Sequence, residues 1–280
     1  MKIWGINSVN AQLKKSWFSS PREGLSRVLQ VMQDQEWHEV APMLSWVIKH
    51  PRAGIILVDA GEQSRALDWS RYPVAPRMIT RNMLRFPETF QSPLPDQLKN
   101  LGIKVSDVQH IIVTHLHQDH VGHLSSFPKA KVWVSRAEFE ATQKPFAHMK
   151  GYWPSLFPER FRPDLIDYRD GAFHNFESSR ALFEDIWIVP TPGHSPGHQS
   201  VIVKSQGRFV VLAGDVTPAM QYLERESVDM ISAMGEPQKA RQSKQKMVQF
   251  IKDQNALYLP SHCPTSLPRL EAFKTQKTLA

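Results

Sequence analysis

Short runs of apolar, largely β-branched residues recur along the chain, separated by stretches with apolar positions at helical spacing. That alternation is how a layered α/β protein reads. Ser45 to Lys49 and Gly54 to Asp59 read as two paired strands with a turn at Pro51 to Ala53; the second runs through Val58, Asp59 and Ala60 into Gly61. Asp96 to Leu101 reads as a short helix, His110 to Thr114 as a buried strand, and Lys131 to Ser135 as another, with a helix following over Ala137 to Gln143. The second half repeats the texture, with strands expected at Ile186 to Val189, Ser200 to Lys204, Phe209 to Ala213 and Leu257 to Leu259. Pro237 to Gln254 reads as a helix with Met247, Val248, Phe250 and Ile251 on its apolar face.

Two stretches fit neither period: Tyr72 to Pro95 and Lys144 to Pro163, both rich in proline, aromatics and methionine. Loops of this length serve as active-site lids or cap a core edge. Their aromatics, Phe86, Phe90, Phe146, Tyr152, Trp153 and Phe157, either line a pocket for an apolar substrate group or belong to the core. Residues Asp170 to Asp185 lack linker composition, so one domain over 1–280 is expected, with lid-like insertions near 72–95 and 144–163.

Composition narrows the class. The 280 residues are 41% hydrophobic and 22% charged, ordinary for a soluble globular enzyme that buries its own core. No apolar run is long enough to span a bilayer, and Met1 to Lys15 has no apolar segment that reads as a secretory signal. Cys263 is the one cysteine, which fits a reducing cytoplasm. The net charge of +7 would attract nucleic acid or acidic membranes if it were concentrated. It is scattered, and its densest run, Lys239 to Lys252, reads as the solvated face of a helix, so neither partner is expected. Trp4, Ile6, Trp17 and Phe18 pack either on a second subunit of a homodimer or on the chain's own surface.

The histidines carry the chemistry. Thr114-His115-Leu116-His117-Gln118-Asp119-His120-Val121-Gly122-His123 follows an apolar strand directly, so its ligand-type residues fall at the strand's C-terminal end. His115 and His117 are two apart, with Leu116 free to point away, while Asp119 and His120 arrive on the next turn, where they can face a second ion. Imidazole and carboxylate together suit divalent zinc foremost, and also iron, manganese or cobalt. Three further strand ends deliver the same residue types: His194 in the proline- and glycine-rich turn 191–198, Asp215 after Ala213-Gly214, and His262 after Pro260-Ser261. His123 and His198 flank the ligands and are expected to hydrogen-bond or pack beside them. Asp59 either orients a ligand histidine or stabilises its turn, and Cys263 is expected to be a buried neighbour of His262.

The order His-x-His-x-Asp-His, then His, Asp and His, resembles the signature of the metallo-β-lactamase superfamily over roughly Trp46 to His262. The resemblance implies an α/β fold, an αββα sandwich of two mixed sheets between outer helices, each half contributing part of the site. It also implies two metal ions: His115, His117 and His194 on one, Asp119, His120 and His262 on the other, and Asp215 bridging. Histidine rather than glutamate at position 117 argues against the flavodiiron oxidoreductase branch. Thr-Pro-Gly-His-Ser-Pro-Gly-His-Gln-Ser at 191–200, and His-Leu-His-Gln-Asp-His followed by Leu124 and Phe127-Pro128, look like the N-acyl-homoserine lactonase group. That group usually carries a tyrosine three residues after the bridging aspartate, where it helps hold the substrate carbonyl oxygen. Here the position is Pro218; Tyr222, four residues on, either substitutes for it or packs against a lid.

The expected chemistry is hydrolysis: a water activated by the metals attacks an ester-type carbonyl, and Asp119 hands a proton to the leaving alkoxide. The expected substrate is a lactone such as an N-acyl-homoserine lactone. A thioesterase of the glyoxalase II type wants a C-terminal helical domain, for which too few residues follow His262. A phosphodiesterase wants a basic exosite or an inserted domain, and a non-catalytic protein would be expected to have lost ligands. A β-lactamase proper would normally carry an export signal.

Overall fold

Among the residues described by the computed structural model (1–63, 81–87 and 92–275, without the Met149 side chain), the apolar runs form twelve strands in two sheets. The first sheet is built from β1 (Lys2–Leu13), β2 (Ala41–His50), β3 (Gly54–Val58), β4 (Leu84–Arg85), β5 (Val108–Ile112), β6 (Lys131–Ser135) and β7 (Asp164–Ile166). Their order across the sheet is β4-β1-β2-β3-β5-β6-β7. The second contains β8 (Arg180–Phe183), β9 (Ile186–Pro190), β10 (Gln199–Ser205), β11 (Arg208–Leu212) and β12 (Leu257–Leu259), in the order β12-β11-β10-β9-β8. Both sheets are mixed. β1 to β3 run antiparallel and β3, β5, β6 and β7 parallel; β8 to β11 run antiparallel and β11 pairs parallel with β12.

Period-two alternation explains the layers. Ile186, Ile188, Val201, Val203, Val210, Leu212, Leu257 and Leu259 of the second sheet meet Leu44, Trp46, Ile48, Ile56, Val58 and Ile112 of the first in one buried cluster. The intervening residues face outward: Val189, Ile202, Val211 and Tyr258 pack on Met247 and Phe250 of the helix Pro237–Gln254. On the other side, Val47, Leu57, Ile111 and Val113 pack on Leu94 and Leu98 of the helix Leu94–Asn100. Helix, sheet, sheet and helix is the expected αββα order. None of the helices among the described residues is long and apolar enough to cross a membrane.

Several elements escape the sequence pattern. β1 alternates irregularly because its register against β2 slips between Asn7 and Asn10, so the buried positions break step. The helices Gly24–Gln33 and Ser266–Thr275 and the short strands β7 and β8 were not anticipated. Ile6 and Phe18 are buried within this chain, and Trp4 and Trp17 pack partly buried against its clusters.

The two unassigned stretches differ. In the first, 72–80, 88–91 and Phe90 lie outside the described residues, and Phe86 packs beside Val9, Ala11 and Met43. The second folds into short helical turns at Ala147–Lys150 and Pro154–Leu156. Between them Tyr152 is buried and bridges to the backbone of His117. Phe157 packs against the same core cluster and Trp153 is partly buried, whereas Phe146 is 71% exposed.

Candidate metal centre

Parallel pairing brings the chemistry to one edge. β3 lies beside β5 and β11 beside β12, so Asp59, the segment from Thr114, Asp215 and His262 all leave their strands at C-terminal ends. The turn 191–198 joins β9 to β10 and brings in His194. Gly193 makes that turn possible: its φ is +138°, and a Cβ there would lie 2.3 Å from the Ala240 backbone.

The seven candidate ligands fall into two groups, His115, His117 and His194, and Asp119, His120, Asp215 and His262, with the ligand atoms of each group within 4.8 Å of one another. Asp215 reaches both. Its Oδ2 is 3.1 Å from His262 Nε2, 3.4 Å from His194 Nε2 and 3.9 Å from His115 Nε2, while Oδ1 is 3.5 Å from His120 Nε2. Asp119 Oδ2 lies 3.3 Å from His262 Nε2 and 3.5 Å from His120 Nε2.

The outer nitrogens are tied down. His120 Nδ1 meets Asp59 Oδ2 at 2.8 Å, and His262 Nδ1 meets the Pro42 carbonyl at 2.9 Å. His194 Nδ1 meets Asp229 Oδ1 at 3.2 Å. Thr114 Oγ1 donates to Asp59 Oδ2 at 2.9 Å and therefore accepts from His115 Nδ1 at 3.1 Å. In each of these four rings Nδ1 has an oxygen partner on the outer side, which leaves Nε2 turned inward. His117 is the exception: its Nδ1 faces His194 Nε2 at 3.1 Å.

The buried polar atoms argue for cations. Among the described residues, His115 Nε2, His120 Nε2 and Asp215 Oδ1 are buried and have no hydrogen-bond partner. Orphaned lone pairs converging from two sheets are costly unless something positive satisfies them. The donor set, nitrogen and carboxylate oxygen, fits two divalent ions.

Electrostatics divides the groups. Burial, helped by His194, takes His117 down to about 3, and burial holds His115 well below the ordinary imidazole range, so both are neutral donors. Burial opposes protonation of His262 as well, but Asp215 and Asp119 outweigh it and push it up to about 10. Burial would raise Asp215 and Asp119; His262 and His120 overcome it and keep both carboxyls well below their usual range. In the metal-free chain a proton on His262 thus takes the place of positive charge between two carboxylates.

Of the residues with weaker claims, His198 has a defined task. Asp215 N–H donates to its Nε2 at 2.9 Å and its Nδ1 meets the Thr191 carbonyl at 3.1 Å, so the neutral ring fixes the Asp215 backbone. His123 Nδ1 meets the Ala60 carbonyl, and Cys263 is buried with its Sγ on Thr265 Oγ1. Tyr222 points elsewhere. Its hydroxyl meets His38 Nε2 at 2.6 Å, and it lines a polar cavity of about 640 Å³ with Lys15, Glu36 and Arg225, without any of the seven ligands.

Three carboxylates were not singled out in the sequence. Asp229 holds His194 and accepts from Ser232 N–H, a helix-cap pattern visible locally. Glu62 is buried beside Asp119; burial first, then that charge, pushes it up to about 8. Glu138 is buried and accepts from the backbone of both histidine loops.

The sequence profile of the Metallo-beta-lactamase superfamily matches residues 40–262. A probable metallo-hydrolase of Mycobacterium tuberculosis is 30% identical over 174 residues, 58% of this chain and 53% of that protein. An N-acyl homoserine lactonase of Bacillus cereus is 32% identical over 115 residues, 41% of this chain and 40% of that protein. The chain therefore spans about half the length of the curated relatives it matches. Among solved structures, a variant of Bacillus thuringiensis AiiA with N-decanoyl-L-homoserine at its active site superposes with a TM-score of 0.73 at 21% identity, covering 94% of this chain and 93% of that one. The dizinc quorum-quenching lactonase AidC superposes with a TM-score of 0.64 at 15% identity, covering 94% and 87%. The fold, the strand-end ligand order and the profile match over most of its length agree: this chain belongs to the metallo-β-lactamase superfamily.

Proposed function

We propose that this protein is a dinuclear metal-dependent hydrolase of carboxylic esters, and that its substrate is a lactone of the N-acyl-homoserine class. The observation that carries the dinuclear reading is Asp215, one carboxylate in reach of both ligand groups. The lactone class is supported by the 191–200 segment and by curated relatives that are N-acyl homoserine lactonases. Zinc is supported by the donor set and by the dizinc neighbour.

Two divalent cations at these ligands supply a water acidified toward neutrality and a Lewis acid for the substrate carbonyl oxygen. The chain's own residues do the rest. His115 and His117 present neutral nitrogens, His194 is held by Asp229, and Asp215 keeps the two groups in register. Asp119 is the more open carboxylate, its side chain 22% exposed against 9% for Asp215, and so it faces arriving substrate. Its depressed pKa makes it a carboxylate at rest, ready to take the attacking water's proton and pass it to the far more basic alkoxide. Tyr152 and the turns around it cover His117 and limit water on that side.

The test is a substrate panel assayed on metal-reconstituted protein with metal content measured in parallel. Two cations per chain and rapid opening of acyl-homoserine lactones are expected. Two cations with turnover only of thioesters or phosphodiesters would transfer the assignment to those substrates; fewer than two would end the dinuclear reading.

A further inference from the structure

One buried carboxylate joins the two loops that carry the three-histidine group. Glu138 lies in the first turn of the helix Arg136–Thr142, immediately after β6, and is fully buried. Its Oε1 accepts from Leu116 N–H at 2.9 Å, the residue between His115 and His117. Its Oε2 accepts from Ser195 Oγ–H at 2.7 Å and from Gly197 N–H at 3.0 Å, just beyond His194. Ser135 completes the junction: its hydroxyl accepts from Glu138 N–H at 3.1 Å and donates to the Gly197 carbonyl at 2.7 Å. The packing leaves no slack, because a Cβ on Gly197 would lie 2.1 Å from the Glu138 backbone nitrogen.

The chemistry of this junction demands a carboxylate. Both oxygens are used as acceptors, and a glutamine would turn an NH2 group toward one of the donors. No arginine, lysine or histidine forms an ion pair with Glu138 among the described residues: burial pushes its carboxyl up, and only the N–H and O–H groups it accepts from oppose that. A buried charge kept without a countercharge is expensive, and a helix cap does not require it. The carboxylate-containing group is oriented by other means: His120 by Asp59, and His262 by the Pro42 carbonyl.

We infer that Glu138 is a positioning residue that clamps His115 and His117 against His194 and thereby sets the affinity of the three-histidine cation alone. The inference rests on the dinuclear reading above.

Chelator-stripped wild type, Glu138→Gln and Ser195→Ala are titrated with Zn²⁺ against a chromophoric competitor and, separately, with Co²⁺ followed by absorption. Wild type is expected to take two cations. Glu138→Gln is expected to keep one at near wild-type affinity and to bind the other about 10–100-fold more weakly. Its one-cation Co²⁺ spectrum should match that of His194→Ala, which lacks a ligand of the weakened group. Ser195→Ala, which removes one of the three bonds, should fall between, and it carries the test if Glu138→Gln does not fold. Equal weakening of both cations, or no change in either, overturns the inference while leaving the dinuclear reading intact. Fewer than two cations in wild type overturns both.

Discussion

Asp59 sits in the left-handed region at φ +60°, a conformation an aspartate tolerates better than a branched residue, and it is fully buried. Its carboxylate accepts from Thr114 N–H at 2.7 Å, from Thr114 Oγ1 and from His120, so one side chain aligns two ligand rings. Asp59→Asn replaces an acceptor with a donor facing those N–H and O–H groups. We expect cation affinity to fall about 10–100-fold, read by competitive chelator titration. Tyr222 is a contrasting case, because its hydroxyl is already engaged by His38. Tyr222→Phe is expected to cost about 1 kcal/mol of stability, the worth of one hydrogen bond, and to leave kcat/KM near wild type in lactone assays. A large loss of kcat/KM would return Tyr222 to the substrate carbonyl. In the metal-free protein His262, raised to about 10 by its two carboxylate neighbours, binds its proton more tightly folded than unfolded. Its contribution to stability is therefore complete below the ordinary imidazole range near 6.5 and is lost as pH rises toward 10. Denaturant midpoints of the chelator-treated protein should fall across that window, and cation binding should release protons there.

At the scale of elements, the turn 191–198 is held from outside by the helix Pro237–Gln254, where Ser243 Oγ donates to the Pro192 carbonyl at 2.7 Å. Gly193→Ala drives a methyl into the backbone of that helix and forces an unfavourable φ. A loss of about 2 kcal/mol or more is expected, with a lower melting temperature and weaker binding of added divalent cation at the His194 group. The reason so much of the site was legible is that its ligands are contiguous or stand at the ends of clean apolar runs, as with His115 to His120 after β5. β1 was not legible, since Gly5, Asn7, Ser8 and Asn10 dilute its apolar pattern and the register slip breaks what remains. Asp229 and Glu138 were illegible for another reason. Each is an ordinary polar residue at the start of a helix, and only tertiary structure brings it to a loop 35 or 57 positions away. Lys144 to Pro163 lacked a period because its irregular turns follow the shape of the surface over His117.

At the scale of the whole molecule, the ligands are divided between the sheets: His115, His117, Asp119 and His120 follow strands of the first, and His194, Asp215 and His262 follow strands of the second. Cations held by these ligands would therefore fasten the sandwich across its open edge. Chelation should lower the melting temperature, because it removes a stabilisation that grows with the free Zn²⁺ of the reference sample to about 4 kcal/mol at a thousandfold excess over Kd. An unchanged melting temperature would mean that the cations do not bridge the sheets. The chain order of those ligands has a consequence for biosynthesis. His262 follows β12, which pairs with β11 after the long helix Pro237–Gln254 has been laid down, so the carboxylate-rich group acquires its last donor only when the ribosome has delivered that strand. A nascent chain paused before it has four of the candidate imidazoles, His115, His117, His120 and His194, and both carboxylates, but no closed second cage. If the site takes two ions as proposed, capture of the second is a late, post-elongation event.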